Sequence, residues 1–277
     1  MKKILVPVDF SECSEYALEV ASNLAKKYDA EIIALHMLGI PDTVLTSSQS
    51  KEMLEGIYYV KLAEKRFKEF LDKDYLKGVQ ITDSVYNYKK FNELNTIALE
   101  KKADLIIMGS HGSSGLSEVF VGSNTEKVVR SSDIPVLVVK KESKNFDAEN
   151  AVFACDFTEE NLKAFKNAMK LFNSLNNVTV SLLYVNLPGQ NYRSTNEIDA
   201  RVKKFLIKAN AINLLDQVDY YNDYTVEDGI FNYSNKIGAD IIALPTHGRR
   251  GLAHFFAGSI SEGLVNHSKI PVITFKL

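Results

Sequence analysis

The sequence predicts an α/β protein made of two tandem, doubly wound domains, each built on a five-stranded parallel sheet. Three observations carry this. Short apolar runs alternate with segments of helical period, the pattern of a parallel sheet covered on both faces. The 277-residue chain repeats itself. Its length suits two domains of about 100–150 residues each.

The repeat is read directly from the chain. Residues 103–140 (ADLIIMGSHGSSGLSEVFVGSNTEKVVRSSDIPVLVVK) align without a gap to residues 239–276 (ADIIALPTHGRRGLAHFFAGSISEGLVNHSKIPVITFK). About 17 of the 38 positions are identical, too many for shared composition alone. The starts correspond as well, ILVPVDFSE from Ile4 with AVFACDFTE from Ala151. Asp9 and Asp156 are 147 positions apart whereas Ala103 and Ala239 are 136 apart, so the second copy is 11 residues shorter in its middle. The polar stretch from Lys140 to Asn150 is the expected junction, giving domains at 1–141 and 149–277.

In the first copy Ile4–Val8 reads as a buried strand. Ser11–Tyr28 reads as a helix with Ser11 or Ser14 as its cap, and Glu31–Met37 as the second strand. A loop at Pro41–Ser50 precedes a long amphipathic helix from about Lys51 to Asp72, with Leu54, Ile57, Tyr58, Leu62 and Phe67 on or near one face. Val79–Tyr86 is the third strand, Phe91–Lys102 a helix and Leu105–Met108 the fourth strand. Ser123–Ser131 is the last helix and Val136–Val139 the last strand. The second copy follows the same order.

Composition excludes several classes. Hydrophobic residues at 45% and charged residues at 25% are those of a soluble globular protein. A formal charge of −2 speaks against a general nucleic-acid or membrane-surface binder. No apolar run approaches the roughly 20 residues of a membrane span, and the N-terminus lacks the features of a signal peptide. Two cysteines, Cys13 and Cys155, make no disulfide framework or thiolate metal site, so a reducing cytoplasm is the expected setting.

The loop after the fourth strand carries the pattern G-x2-G-x9-G-S: Gly109, Gly112, Gly122 and Ser123. It follows a strand and ends on a helix, where free N–H groups and the helix dipole favour an anion. Glycine allows close backbone approach to a phosphate. The hydroxyls of Ser123 and Thr125 either donate to phosphate oxygens or cap the helix; the same glycines also suit an ordinary turn. The loop is neither a Walker A motif nor a GxGxxG fingerprint. Ligands in open parallel sheets bind where the winding reverses, at the strands' carboxyl ends. Asp9 after strand one then faces the Gly-rich loop and either accepts from ribose hydroxyls or serves as a turn residue, and Asp156 recurs in its place. His111 and His247 recur in the loops and read as packing residues. No GxSxG elbow is present, and the site holds no catalytic residue or metal ligand set that stands out.

PVDFSE, the LHM segment at Leu35–Met37, GSHGSSGLSEVFVGSNTEKV and IPVLVV resemble the universal stress protein family, across both copies. The resemblance implies an adenine nucleotide alpha hydrolase-like fold with strand order 3-2-1-4-5. It implies non-covalently bound ATP, with Mg²⁺ as the fitting metal on the phosphates. Asp9 would lie against the ribose and main-chain groups at Met37 against adenine; Gly109, Gly112, Gly122, Ser123 and Thr125 would line the triphosphate. It also implies pairing through the last strands, VLVV and VITF, as an internal pseudo-dimer, with a homodimer as a further possibility. The corresponding second set is Asp156, Val185, Gly248, Gly258, Ser259 and Ser261. That set departs at Pro245, which replaces Gly109 and has no N–H. Arg249 and Arg250 replace Ser113 and Ser114. The expectation is a stress-response nucleotide-binding regulator with little turnover, whose second domain binds ATP more weakly or holds another ligand. The alternatives are a slow ATPase or hydrolase, with Glu118 and His111 as its only candidate groups, and a scaffold without nucleotide.

Overall fold

The computed structural model of the chain describes residues 1–38, 50–86, 93–110, 122–246 and 268–277. It divides into two units, Met1–Phe146 and Asp147–Leu277. The division falls inside the polar stretch Lys140–Asn150, where Phe146 and Ala148 are nevertheless buried.

The first unit runs β1 (Lys3–Pro7), α1 (Glu12–Tyr28), β2 (Glu31–Met37), α2 (Ser50–Leu71), β3 (Ile81–Tyr86), α3 (Leu94–Glu100), β4 (Leu105–Gly109), α4 (Ser123–Ser131) and β5 (Val136–Val139). Its strands lie in the order β3-β2-β1-β4-β5, and every pair is parallel. The second unit runs β6 (Asn150–Ala154), α5 (Leu162–Ser174), β7 (Thr179–Asn186), α6 (Thr195–Ala209), β8 (Val218–Asn222), α7 (Val226–Lys236), β9 (Ile241–Thr246) and β10 (Val272–Lys276). Its order is β8-β7-β6-β9-β10, the same topology, again with parallel pairs throughout. The strands that read as unbroken apolar runs are buried along their length, as a sheet covered on both faces requires: Leu105–Gly109 and Ile241–Thr246 are buried at every residue.

Local signals set the helix ends. Ser11 caps α1 by accepting from the Ser14 N–H at 3.2 Å, and Asp29 closes the helix in the left-handed region. In α6 Ser194 and Glu197 form a reciprocal capping box. The long helix α2 differs from its expected face. Ala63, Phe67 and Phe70 are its buried apolar side chains, while Leu54, Ile57 and Tyr58 are exposed. Two stripes of helical spacing coexist in this segment, and the sheet takes the one containing Phe67. The helix expected at Phe91–Lys102 is shorter, Leu94–Glu100, and strand three starts at Ile81 rather than Val79.

Candidate functional site

In the first unit β1 lies between β2 and β4, so the connections leaving β1 and β4 run to opposite sides. This is the switch point of an open parallel sheet, where a crevice opens beyond the strands' carboxyl ends. Three pieces of chain meet its rim.

The first is the turn after β1. The Asp9 carboxylate accepts through Oδ1 from the Ser11 N–H at 3.1 Å and the Ser11 hydroxyl at 2.5 Å. Phe10 sits at φ 63°, a conformation that costs a non-glycine residue about 1–3 kcal/mol. Aromatic packing holds it there: its ring centroid lies 4.5 Å from His36 and 5.3 Å from Phe67. Phe157 repeats the device at φ 53°, against Phe205 at 5.3 Å. The shared DF pair was the sequence signal for this buttress.

The second is the end of β2. The Val8 N–H donates to the Leu35 carbonyl and the Leu38 N–H to the Tyr86 carbonyl. Peptide groups alternate sides along a strand. The main-chain N–H and C=O of Met37 therefore face the β1 side, beyond the point where β1 ends at Pro7. His36, within the LHM segment, ties these two pieces together: its Nδ1 lies 2.7 Å from the Val8 carbonyl, so that nitrogen carries the proton. Burial holds the His36 pKa below the usual range, with Arg66 adding to the effect and Asp9 and the Val8 carbonyl opposing it.

The third is the passage from β4 to α4. Gly109 is the last residue of β4, and a β-carbon there would meet the Cys13 carbonyl oxygen at 2.6 Å and its carbon at 2.7 Å. Its missing side chain serves the packing of α1 on the strand. Thr125 is buried, and its hydroxyl donates to the Gly109 carbonyl at 2.9 Å. That is neither of the two roles expected from the sequence, phosphate donor or helix cap; the strand end lies within reach and takes the proton. The Gly122 N–H is also engaged, by the Ser110 carbonyl at 2.7 Å. Among the described residues no side chain caps α4. The first helical bond runs from the Glu126 N–H to the Gly122 carbonyl, so the N–H groups of exposed Ser123 and its two successors have no helical carbonyl partner. Gly112, His111 and Glu118 lie outside the described residues.

The second unit presents the same rim with different chemistry. A cavity of about 420 Å³ lies at the carboxyl ends of its strands, lined by Asp156, Val185 and Pro245 among others. Asp156 Oδ1 accepts from the Thr158 N–H and hydroxyl and, at 2.6 Å, from Asn161 Nδ2. Pro245 is an interior residue of β9, in register with Phe275. A ring there replaces the glycine that lets α1 approach its strand. The helix start differs accordingly: residues 159–161 form a 3₁₀ turn and α5 begins only at Leu162, whereas α1 begins at Glu12, the position of Glu159. Glu160, at the position of Cys13, lines the cavity, as do Arg193 and Arg201, which sequence reasoning did not single out. Gly248, Gly258, Ser259, Ser261, His247, Arg249 and Arg250 lie outside the described residues. Among the described residues no group of three His, Cys, Asp or Glu could hold a metal ion, and no helix is long and apolar enough to cross a membrane.

The fold and rim define a tandem α/β protein of the doubly wound, switch-point class. A profile of the universal stress protein family matches residues 1–140 and again 148–276, so the chain belongs to that family, with two copies of its domain. A universal stress protein of Methanocaldococcus jannaschii is 36% identical over 150 residues, covering 52% of this chain and 84% of that protein. One from Bacillus subtilis is 37% identical over 151 residues, covering 50% of this chain and 98% of its own length. A crystal structure of a universal stress protein from Archaeoglobus fulgidus superposes with a TM-score of 0.67 at 21% identity, covering 99% of this chain and 96% of that one, which supports the fold.

Proposed function

We propose that the first unit binds ATP without covalent attachment, and that the protein is a nucleotide-dependent regulator of the stress response with little or no turnover. The observation that carries this is the meeting of three groups at one switch point. The outward-facing main chain of Met37 offers a donor and an acceptor to the edge of adenine. Asp9, held by Ser11, offers carboxylate to ribose hydroxyls. The uncapped first turn of α4, with exposed Ser123, offers N–H groups to a polyphosphate.

The loop residues serve this reading in two ways. Gly109 and Thr125 shape the passage from β4 to α4 through Cys13 and the Gly109 carbonyl. The phosphate contacts fall to α4's first turn and the glycines around it. Mg²⁺, if it accompanies ATP, would sit on phosphate oxygens, which suit a hard cation. A regulatory role needs only that two arrangements of the loop between Gly109 and Gly122 differ in ATP affinity. Pro245 and Glu160 support weaker ATP binding in the second unit, through a lost N–H and an added negative charge at its rim. Cys13 and Cys155 are not in a disulfide, in keeping with a cytoplasmic setting.

The test is calorimetric titration of ATP into the full chain, with assay of nucleotide that co-purifies. Gly122→Val is expected to abolish the tighter site. Absence of ATP binding by the wild type would refute the reading. Single-turnover assay with labelled ATP separates a regulator from a slow ATPase, which would release phosphate in the wild type and not in Gly122→Val.

A further inference from the structure

We propose that the second unit is a site for a nucleoside monophosphate, whose one phosphate is held by Arg193 and Arg201. The two halves of the chain would then sort nucleotides by the number of their phosphates. The inference rests on the nucleotide-binding reading of the fold, though not on ATP occupying the first unit.

The cavity has a wall suited to each part of such a ligand. Its volume of about 420 Å³ falls within the roughly 300–1,000 Å³ of small-molecule sites. Val185, Leu187, Val226 and Ile230 form an apolar side against which a flat base can lie. Val185 has the position of Met37, and the Cys155 N–H donates to the Leu183 carbonyl. By the alternation of peptide groups, the Val185 main chain also faces the crevice. The Thr158 and Asn161 bonds of Asp156 all fall on Oδ1, and Oδ2 is the oxygen offered to a ribose hydroxyl.

The cations stand beside Asp156 rather than at the end of β9. Arg201 projects from α6 and donates to the Asp156 carbonyl at 3.2 Å, one of five N–H groups on its guanidinium. Phe205 and Phe67 pack on equivalent phenylalanines, an equivalence that puts Arg201 where the first unit has buried Ala63. The arginine is therefore an addition of the second copy. Arg193 stands on a connection that is already fixed. Buried Asn186 accepts from the Arg193 N–H and donates to its carbonyl, each at 3.1 Å, and also donates to Asn222. Neither arginine forms a salt bridge among the described residues; Glu197, on which the Arg193 charge acts weakly, is held by Ser194. Two guanidiniums outside any salt bridge among the described residues, one of them on a fixed main chain, suit bidentate capture of a phosphate.

The same wall disfavours a longer phosphate chain. Toward β9 it carries Pro245, with no N–H, and the Glu160 carboxylate, where the first unit has Gly109 and Cys13. A polyphosphate extended that way meets the Glu160 carboxylate, whereas a single phosphate turned toward Arg193 and Arg201 meets two cations beside the one carboxylate of Asp156.

The experiment titrates AMP, adenosine and ATP by calorimetry into the full chain and into Arg201→Met, Arg193→Met and Asp9→Ala, with Arg201→Lys as the charge-preserving variant. The expected result is one AMP site per chain that weakens at least tenfold in either methionine variant, partly recovers in Arg201→Lys and is unchanged in Asp9→Ala. Adenosine is expected to bind more weakly than AMP and to be indifferent to the arginines. AMP binding that survives both methionine variants, or that disappears in Asp9→Ala, would overturn the proposal by moving the site to the first unit. ATP binding without any AMP binding would overturn it while leaving the ATP reading intact. Binding of neither nucleotide would remove both. Should a methionine variant fail to fold by circular dichroism, the Arg201→Lys affinity decides: unchanged AMP affinity there, with adenosine bound as tightly as AMP, overturns the proposal.

Discussion

A β-carbon on Gly109 would stand 2.6 Å from the carbonyl oxygen of Cys13, closer than such atoms approach in proteins. The neighbour is backbone of α1 and cannot rotate away. Gly109→Ala is expected to destabilise the chain by about 1–3 kcal/mol, the usual cost of overpacking. Urea denaturation followed by circular dichroism checks this, and an unchanged midpoint would show that α1 yields freely.

The Thr125 hydroxyl is the partner of the Gly109 carbonyl in a buried setting. Thr125→Val keeps the shape and removes the donor, leaving that carbonyl unsatisfied at a cost of about 1–3 kcal/mol. Thr125→Ser keeps the hydroxyl and is expected to restore most of the loss. Equal denaturation midpoints for the valine and serine variants would contradict this.

His36 makes stability depend on pH. Burial lowers its folded pKa, so as pH falls the unfolded chain takes up the proton first. The stabilisation it gives is complete above the unfolded value of about 6.5 and is lost as pH falls from there through the folded value. His36→Tyr, which copies Tyr184 of the second unit, is expected to flatten this part of the profile. Thermal melts across about pH 5–8 for both proteins measure the difference.

Asn186 fixes the connection that carries Arg193 through bonds to the main chain on either side of that residue. Asn186→Ala is expected to cost about 1 kcal/mol in stability, since it strips partners from partly buried main-chain groups. Hydrogen exchange at Arg193 and its neighbours should rise. Exchange that stays as slow as in the wild type would show that the capping box at Ser194 suffices to hold the connection.

Much of the architecture could be read before any coordinates. The alternation of runs gave the strands, Ser11 announced the start of α1, and the matched copies gave the tandem division. The rim was legible in part. Asp9 and the Gly109–Ser123 loop stood out by residue type and spacing, while the bond from Thr125 to the Gly109 carbonyl had no sequence signal. Pro245 was read as a lost donor alone, while the structure also shows a displaced helix start. Leu54, Ile57 and Tyr58 fitted a helical period and are exposed, because a period names a set of faces and only the neighbouring sheet chooses among them.

The sequence by itself determined the repeat, the α/β class and the two places where a glycine-bearing loop follows a strand, since these depend on local periodicity and on chain comparison. Tertiary structure alone decided which atom each polar side chain meets. Arg201 reaches Asp156 across 45 residues and His36 reaches Val8 across 28. Contacts of that kind arise only when packing brings distant segments together, and no local pattern encodes their direction.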